Sequence, residues 1–398
     1  MPFFCPSRVV YTEIDWVSCR FKEAMASLLD GSKNKDTGVK RQYIGRFAAC
    51  LFAGLLTAQI IATLQVTLSN NALLHTLTAV DDAGYLAVPN GWIIGKLHSF
   101  TSAFYGGLFF TFSLGAGISL LSCAAIGLWD AFFCRNRLCL MIGSVLWAGC
   151  LLLTNLNGFS PLANAYFIVI PPVIFLISRR LPSPEISQTS RFFKVLPFLP
   201  LALLACLWGF ASDGHPFLNL RDNLLLRNSV GIKLNDFYYD YSFYPAEAIK
   251  PLDQRILKTC NLDRVMSPSK KLLEHLLSRD YLNISGNGDV DLLIKGMGET
   301  LVFEHKGSVV LKVSVHEFMG NASKILEEFS FKTDRYGFFR RFCFFSVLVG
   351  FPLVSYVFLY AVLGIMFQPF LGWRVSRLMT STCCFLSGLL LLMAVYGG

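Results

Sequence analysis

Charge is what this chain has least of. Asp, Glu, Lys and Arg make up 15% of its 398 residues, against about 25% in an average soluble domain. So thin a polar complement excludes a disordered chain and an ordinary cytosolic globule. Catalytic signatures are missing as well. There is no G-x-S-x-G elbow, no HExxH zinc motif, no membrane serine-protease pair and no Walker or Rossmann fingerprint; Gly286-Asn-Gly288-Asp289 stands outside any phosphate-loop context. The 12 cysteines contain no CxxC pair and no zinc spacing. Eight of them (Cys50, Cys123, Cys139, Cys150, Cys206, Cys343, Cys383, Cys384) lie in apolar stretches and read as small packing residues. Neither a metal nor a cofactor is expected.

What is plentiful is apolar. Hydrophobic residues reach 54%, Phe alone counts 36, and the mean hydropathy is +0.52. The fold class expected is an all-α polytopic membrane protein of about seven transmembrane helices, with a small α+β extracytoplasmic domain inserted between helices five and six. Seven stretches approach the ~20 apolar residues that cross a bilayer: Phe47–Leu68, Ser99–Phe133, Leu138–Leu156, Leu162–Ser178, Val195–Ala211, Phe342–Phe367 and Leu378–Tyr396. The domains read as a cytoplasmic tail 1–46, a five-helix region 47–212, the extracytoplasmic module 213–337, and two C-terminal helices 338–398. In the tail, Thr12 to Leu28 reads as an amphipathic helix and Gly31 to Lys40 as a polar linker.

Orientation follows from Lys and Arg in short loops. With the N-terminus in the cytoplasm, segments 1–46, 134–137, 179–194 and 368–377 hold sixteen basic residues, while 69–97, 157–161 and 397–398 hold Lys96 alone. The same distribution argues against nucleic acid as a partner. The net charge of +9 comes from the tail and short loops, and residues 213–337 carry 16 basic and 17 acidic side chains. The partners implied are the lipid bilayer and a membrane or extracytoplasmic protein. The localisation implied is a bacterial inner membrane, with the C-terminus outside.

An ionisable residue inside a membrane is a functional hint. Asp130 is the acid within a span, close to Arg135 and Arg137, and an interfacial salt bridge is its expected role. No histidine lies well inside a span, which disfavours a proton pump and a haem held between helices. Span two carries small residues at four-residue spacing, Gly115, Ser119, Cys123 and Gly127, the strip that lets a second helix approach. Prolines at 171, 172, 197, 200 and 352 mark kinks.

In the module, helices are expected over Leu218–Arg227 and Val230–Ile249, broken near Asn228-Ser229 and Pro245, and from Ser267-Pro268 onward, with Leu272, Leu273, Leu276 and Leu277 on the apolar face. Strands are expected at Val290–Ile294, Thr300–Glu304 and Val309–Val315, turning at Lys295-Gly-Met-Gly298 and Lys306-Gly307, in a winged-helix-like outline. A closing helix is expected over Ala322–Phe329. The aromatic run Phe237, Tyr238, Tyr239, Tyr241, Phe243 and Tyr244 is the candidate binding surface, its rings divided between the domain core and an interface or partner. Asn283-Ile-Ser285 and Asn321-Ala-Ser323 match the glycosylation sequon.

Asp81-Asp82-Ala-Gly-Tyr85, in the expected first outer loop, resembles the acidic pair of polytopic glycosyltransferases that use lipid-linked donors. That resemblance implies a carboxylate base or metal ligand at Asp81 or Asp82; an N-cap or turn role is the structural alternative. Three functions remain open: a non-catalytic scaffold, assembly factor or accessory subunit acting through the module; a permease or channel subunit for a small solute; and a lipid-linked glycosyltransferase.

Overall fold

The computed structural model describes residues 35–85, 91–132, 137–156, 158–181, 225–227, 229–264, 270–284, 290–346, 350–367 and 373–396. The expected tail helix, span Val195–Ala211, the Ser267-Pro268 helix start and the Gly286–Asp289 turn lie outside them. The first helix, α1 (Lys35–Asp82), holds 48 residues and extends about 72 Å. It therefore replaces the second half of the expected linker and residues 69–82 of the expected first outer loop. It contains no proline. Its threonines 57, 63, 67, 76 and 78 hydrogen-bond the carbonyl four residues back, so their hydroxyls are satisfied within the helix. Gly84 ends it with φ +83°: its amide bonds the Asp81 carbonyl at 2.9 Å, and the Tyr85 amide bonds Val80 at 3.2 Å. This is a Schellman stop, and it needs a residue tolerant of positive φ.

α1 wears its apolar residues on the outside. Phe52, Leu56, Ile60, Leu64 and Leu68 are 54–66% exposed, whereas Gln65 and Asn70 are buried. In water that pattern is inverted; in hydrocarbon it is the stable one, because polar groups must find protein partners.

A short α2 (Gly91–His98) precedes a long rod made of α3 (Phe100–Phe110), a π-helical turn (Thr111–Gly115) and α4 (Ala116–Phe132). Next come α5 (Arg137–Thr154) and α6 (Pro161–Arg180), which runs through Pro171-Pro172. The rod lies antiparallel on α1 at very short range. A Cβ on Gly115 would sit 2.3 Å from the Ala58 Cβ, and one on Gly54 would sit 2.3 Å from the Ser119 Oγ. α6 is antiparallel to α1 as well, with Arg46 bonded to Ser178 and Gln65 to Tyr166.

Three helices among the described residues are long and apolar enough to cross a membrane: Gly45–Asp82, Phe100–Gly127 and Pro161–Arg180. Met141–Thr154, Leu353–Gly364 and Leu378–Leu390 are shorter apolar helices. Of the seven expected spans, three thus reach full length as continuous apolar helices. The last two expected spans correspond to α12 (Phe351–Phe367) and α13 (Trp373–Tyr396), which follow the module in the chain.

Between α6 and those helices come α7 (Ser229–Tyr241) and α8 (Phe243–Glu247), split at Ser242, three residues before the break expected near Pro245. A five-stranded sheet follows. Its strands are β1 (Lys258–Arg264), β2 (Tyr281–Asn283), β3 (Leu292–Met297), β4 (Thr300–His305) and β5 (Ser308–Ser314), in the order β2-β1-β3-β4-β5. β1 runs parallel to β2 and β3, while β3, β4 and β5 form an antiparallel meander. The two parallel pairings replace the winged-helix outline. α9 (Lys270–Leu277) supplies the crossover that a parallel pair requires. The expected Lys295–Gly298 turn is shorter than anticipated: β3 continues to Met297 and the chain reverses at Gly298, φ +64°. Lys306 and Gly307, both at positive φ, turn β4 into β5 as expected.

α10 (Val315–Thr333) starts seven residues before the expected closing helix because Ser314 caps it, accepting the Glu317 amide at 3.1 Å. Leu272 and Leu276 of α9 join Phe303, Phe318 and Phe329 in the module core. Leu277 faces outward. α11 (Gly337–Phe345) then leads back into the bundle.

Candidate functional site

One polar cavity sits at the bundle end opposite the module. Arg46 of α1 is its centre. Nη1 donates to Asp130 Oδ2 of α4 at 2.7 Å, and Nη2 donates to the Ser178 carbonyl and hydroxyl of α6 at 2.9 and 2.5 Å. The planar guanidinium can hold both neighbours at once, which an ammonium cannot do with fixed geometry. The two charged side chains keep 10% and 14% of their surface. Phe47, Cys50, Cys123, Ile126 and Gly127 complete a cavity of about 30 Å³. That is room for a water molecule, far below the several hundred Å³ of a small-molecule site. Chemically the arrangement is a clamp on three helices. The acid of span two is therefore met by Arg46, 84 positions away, a residue the sequence reading left in the tail.

The small-residue strip of span two faces α1: Gly115 meets Ala58, Ser119 meets Gly54, and Cys123 and Gly127 line the clamp cavity. Asp81 and Asp82 are not an N-cap; Asp81 takes part in the turn that closes α1, its carbonyl accepting the Gly84 amide. They form the exposed last turn of α1, where the helix dipole disfavours negative charge. Among the described residues no group of three or more His, Cys, Asp or Glu is placed to hold a metal ion.

The aromatic run packs on the bundle. Tyr238 stacks edge-on against Phe109 at 5.0 Å, and Tyr241 lies 5.4 Å from Tyr105. A Cβ on Gly106 would touch the Tyr241 carbonyl at 2.3 Å, so α3 meets the end of α7 backbone to backbone. Lys96 Nζ lies over the Tyr241 ring at 4.9 Å. Tyr239 and Tyr244 are exposed. Phe243 opens α8, and its side chain lies outside the described set. Tyr238, Ala246 and Ile249 join the bundle core, whereas Leu252 is in the module core. The rings therefore divide between bundle and surface, where the sequence reading had divided them between the module core and an interface.

Further contacts, from Arg340, Arg335 and Tyr85, add to this packing of the module on the bundle. Arg340 of α11 donates to Asp334 Oδ1 and to the Ile249 carbonyl, both at 2.8 Å. Arg335 lies beside Gly158, in the turn between α5 and α6, with a Cβ there falling 3.2 Å from Nε. The Tyr85 hydroxyl, just past the end of α1, accepts the Asn283 amide of edge strand β2 at 3.2 Å. This last contact occupies an edge donor that a sheet otherwise leaves open. It also uses the backbone of the first sequon asparagine; Asn321, of the second, is exposed at a kink in α10.

At the module base Asp291 ties β1 to β3. Its carboxylate accepts from Arg255 at 3.2 Å and from the Thr259 amide at 3.1 Å, while its carbonyl meets His305 Nδ1 at 2.7 Å. Burial holds the His305 imidazole below its usual pKa despite that bond. Burial also pulls the Asp334 carboxyl upward, but the Arg340 hydrogen bond and charge outweigh it and leave it below the carboxylate range. Burial pushes the Cys260 thiol up to about 12, so it is an inert core thiol.

No protein-family model, no curated protein and no solved structure matches the chain.

Proposed function

We propose that the chain is a non-catalytic scaffold, assembly factor or accessory subunit of a bacterial inner-membrane complex, acting through its extracytoplasmic module. In this reading seven helices span the bilayer with the N-terminus in the cytoplasm. The Arg46 clamp lies at the cytoplasmic rim, among the basic loops that favour that side. The module lies at the other end and is presented to the outer compartment. The observation that carries the reading is the attachment of the module at several separate points: through Arg340, Arg335 and Tyr85, and through Tyr238 and Tyr241 packed on α3. A module so tied is held at a fixed height and angle, as a docking platform requires and a tethered catalytic domain does not. Its exposed apolar side chains, Met297 at 65%, Val309 at 52% and Phe331 at 79%, are the contact candidates.

The test is photo-crosslinking in intact cells, with a photoreactive amino acid at Met297, Val309 or Phe331 and a control at lipid-facing Leu56. The expected result is a discrete protein adduct from at least one module position and none from Leu56. Equal labelling of lipid alone at all four, with solute flux by the purified protein in vesicles, overturns the reading.

A further inference from the structure

We propose that α7 is an interfacial helix, its stripe Val230, Leu234 and Phe237 seated among the acyl chains of the leaflet on the module's side, so that lipid holds the module as well as protein does. The proposal rests on the reading that Phe100–Gly127 crosses a bilayer. At 100° per residue the three stripe residues fall within about 60° of arc. They are 39%, 50% and 40% exposed. The charges of α7, Lys233, Asp236 and Asp240, are exposed as well and share another arc of about 60°. That arc lies opposite Gly231, which is buried, and Tyr238, which packs on Phe109 of the bundle. One side of α7 thus meets protein, the opposite side carries all its charge, and the stripe occupies the flank between them.

The occupant of the flank follows from the surface it joins. The Phe237 ring lies 6.2 Å from Tyr105, Tyr105 lies 6.0 Å from Phe104, and Phe104 lies 6.4 Å from Phe100. The last three belong to α3, where span two begins, and are 39–74% exposed. The stripe therefore continues, ring by ring, into a surface that hydrocarbon covers when the span is in place. The level agrees. The Tyr241 carbonyl lies 2.3 Å from where a Cβ on Gly106 would stand, and Gly106 is six residues, about 9 Å, along the rod from Phe100. An interfacial helix beds about 5–10 Å into the boundary between headgroups and acyl chains. Lys96, just before the span, pairs with Asp240 at 3.6 Å and lies over the Tyr241 ring, as a headgroup layer requires of a cation and a tyrosine. A soluble protein would have to enter the bilayer to reach the same flank.

The experiment uses the full chain in phosphatidylcholine vesicles. A genetically encoded fluorescent amino acid replaces Leu234, with Val230 as a second site, Leu56 as the lipid-facing reference and Asp236 as the control on the charged arc. Lipid brominated near the carbonyl end of its acyl chains is substituted for unbrominated lipid, and quenching is read. The expected quenching at Leu234 and Val230 is at least half of that at Leu56, and at Asp236 at least threefold weaker than at Leu234. Moving the bromine toward the methyl end should quench Leu234 less, because the stripe is shallow. The unmodified chain gives a second readout that depends on no variant. In hydroxyl-radical footprinting Phe237 should oxidise at least tenfold more slowly than Phe331, although their exposures, 40% and 79%, differ only about twofold. Quenching at Leu234 and Val230 no stronger than at Asp236, with Leu56 quenched, overturns the proposal, leaves the spanning helices standing and gives the flank to solvent or a protein. An unquenched Leu56 overturns the membrane reading and the proposal together. Oxidation of Phe237 at half the rate of Phe331 or faster also overturns the proposal.

Discussion

Replacing Arg46 with methionine keeps an unbranched apolar stem and removes the guanidinium and its charge. Three hydrogen bonds disappear: one to Asp130 and two to Ser178. Asp130 loses the guanidinium that faces it while only 14% of its side chain is exposed. Breaking one side of a buried ion pair costs about 3–5 kcal/mol, and the residual exposure here places the expected loss near the lower end, about 3 kcal/mol. That is roughly a hundredfold in the folding equilibrium. Part of this cost is the poorer compensation of the Asp130 charge rather than the value of the bond itself. Removing both partners, as Arg46→Met with Asp130→Leu, should therefore cost clearly less than the two single changes summed, with a coupling of at least about 1.5 kcal/mol. The assay is unfolding in mixed micelles by SDS titration, followed by tryptophan fluorescence. Trp129 is a local reporter, its ring 5.9 Å from Phe175. Additivity within about 0.5 kcal/mol, or a single-variant loss smaller than that, refutes the clamp.

Gly115→Leu should separate α1 from the rod, because even its Cβ would stand 2.3 Å from that of Ala58; a loss of about 1–3 kcal/mol is expected, whereas Gly143→Leu, with nothing within 4 Å, should leave the thermal midpoint unchanged. Tyr85→Phe removes the acceptor of the Asn283 amide, so that amide should exchange faster with solvent, at about 1 kcal/mol of local stability. The module should also weaken in mild acid. The His305 pKa is lowered in the fold, so the unfolded chain binds the proton more readily; the stabilisation is complete above the ordinary histidine value of about 6.5 and is lost as pH falls from there toward the folded value. Hydrogen exchange of β3 and β4 amides between pH 8 and 5 should show this loss, and His305→Asn should flatten it. Asp334, also lowered in the fold, adds a separate loss only below the ordinary carboxylate value of about 3.9.

The helical bundle was legible where a hydrophobic run is long enough to have one physical solution. α5, α6 and the rod beginning at Phe100 fall within a few residues of their expected places. The meander β3-β4-β5 was legible from alternation and from Gly307 and Gly298. β1 was not. Lys258, Thr259 and Asn261 are polar, yet they are buried in a strand with neighbours on both edges. The partner of Thr259, Asp291, comes from 32 residues away, so no local pattern announces it. The extension of α1 was missed because residues 69–82 are too polar for a span; they are a helix outside the apolar zone. Arg46 was counted as a topological charge, since a sequence does not show which loop residue folds back to meet a buried acid.

One consequence concerns mechanics. α1 is a single rod with the clamp near one end and Tyr85 just past the other. Those points are separated by about 58 Å along the helix axis. A pivot of only ~3° at Arg46 would swing the far tip by roughly 3 Å, as much as the whole span of the Tyr85–Asn283 hydrogen bond, 3.2 Å. The rod is thus a lever with a tight fulcrum, and whatever loosens its short arm is felt, amplified, at the edge of the sheet.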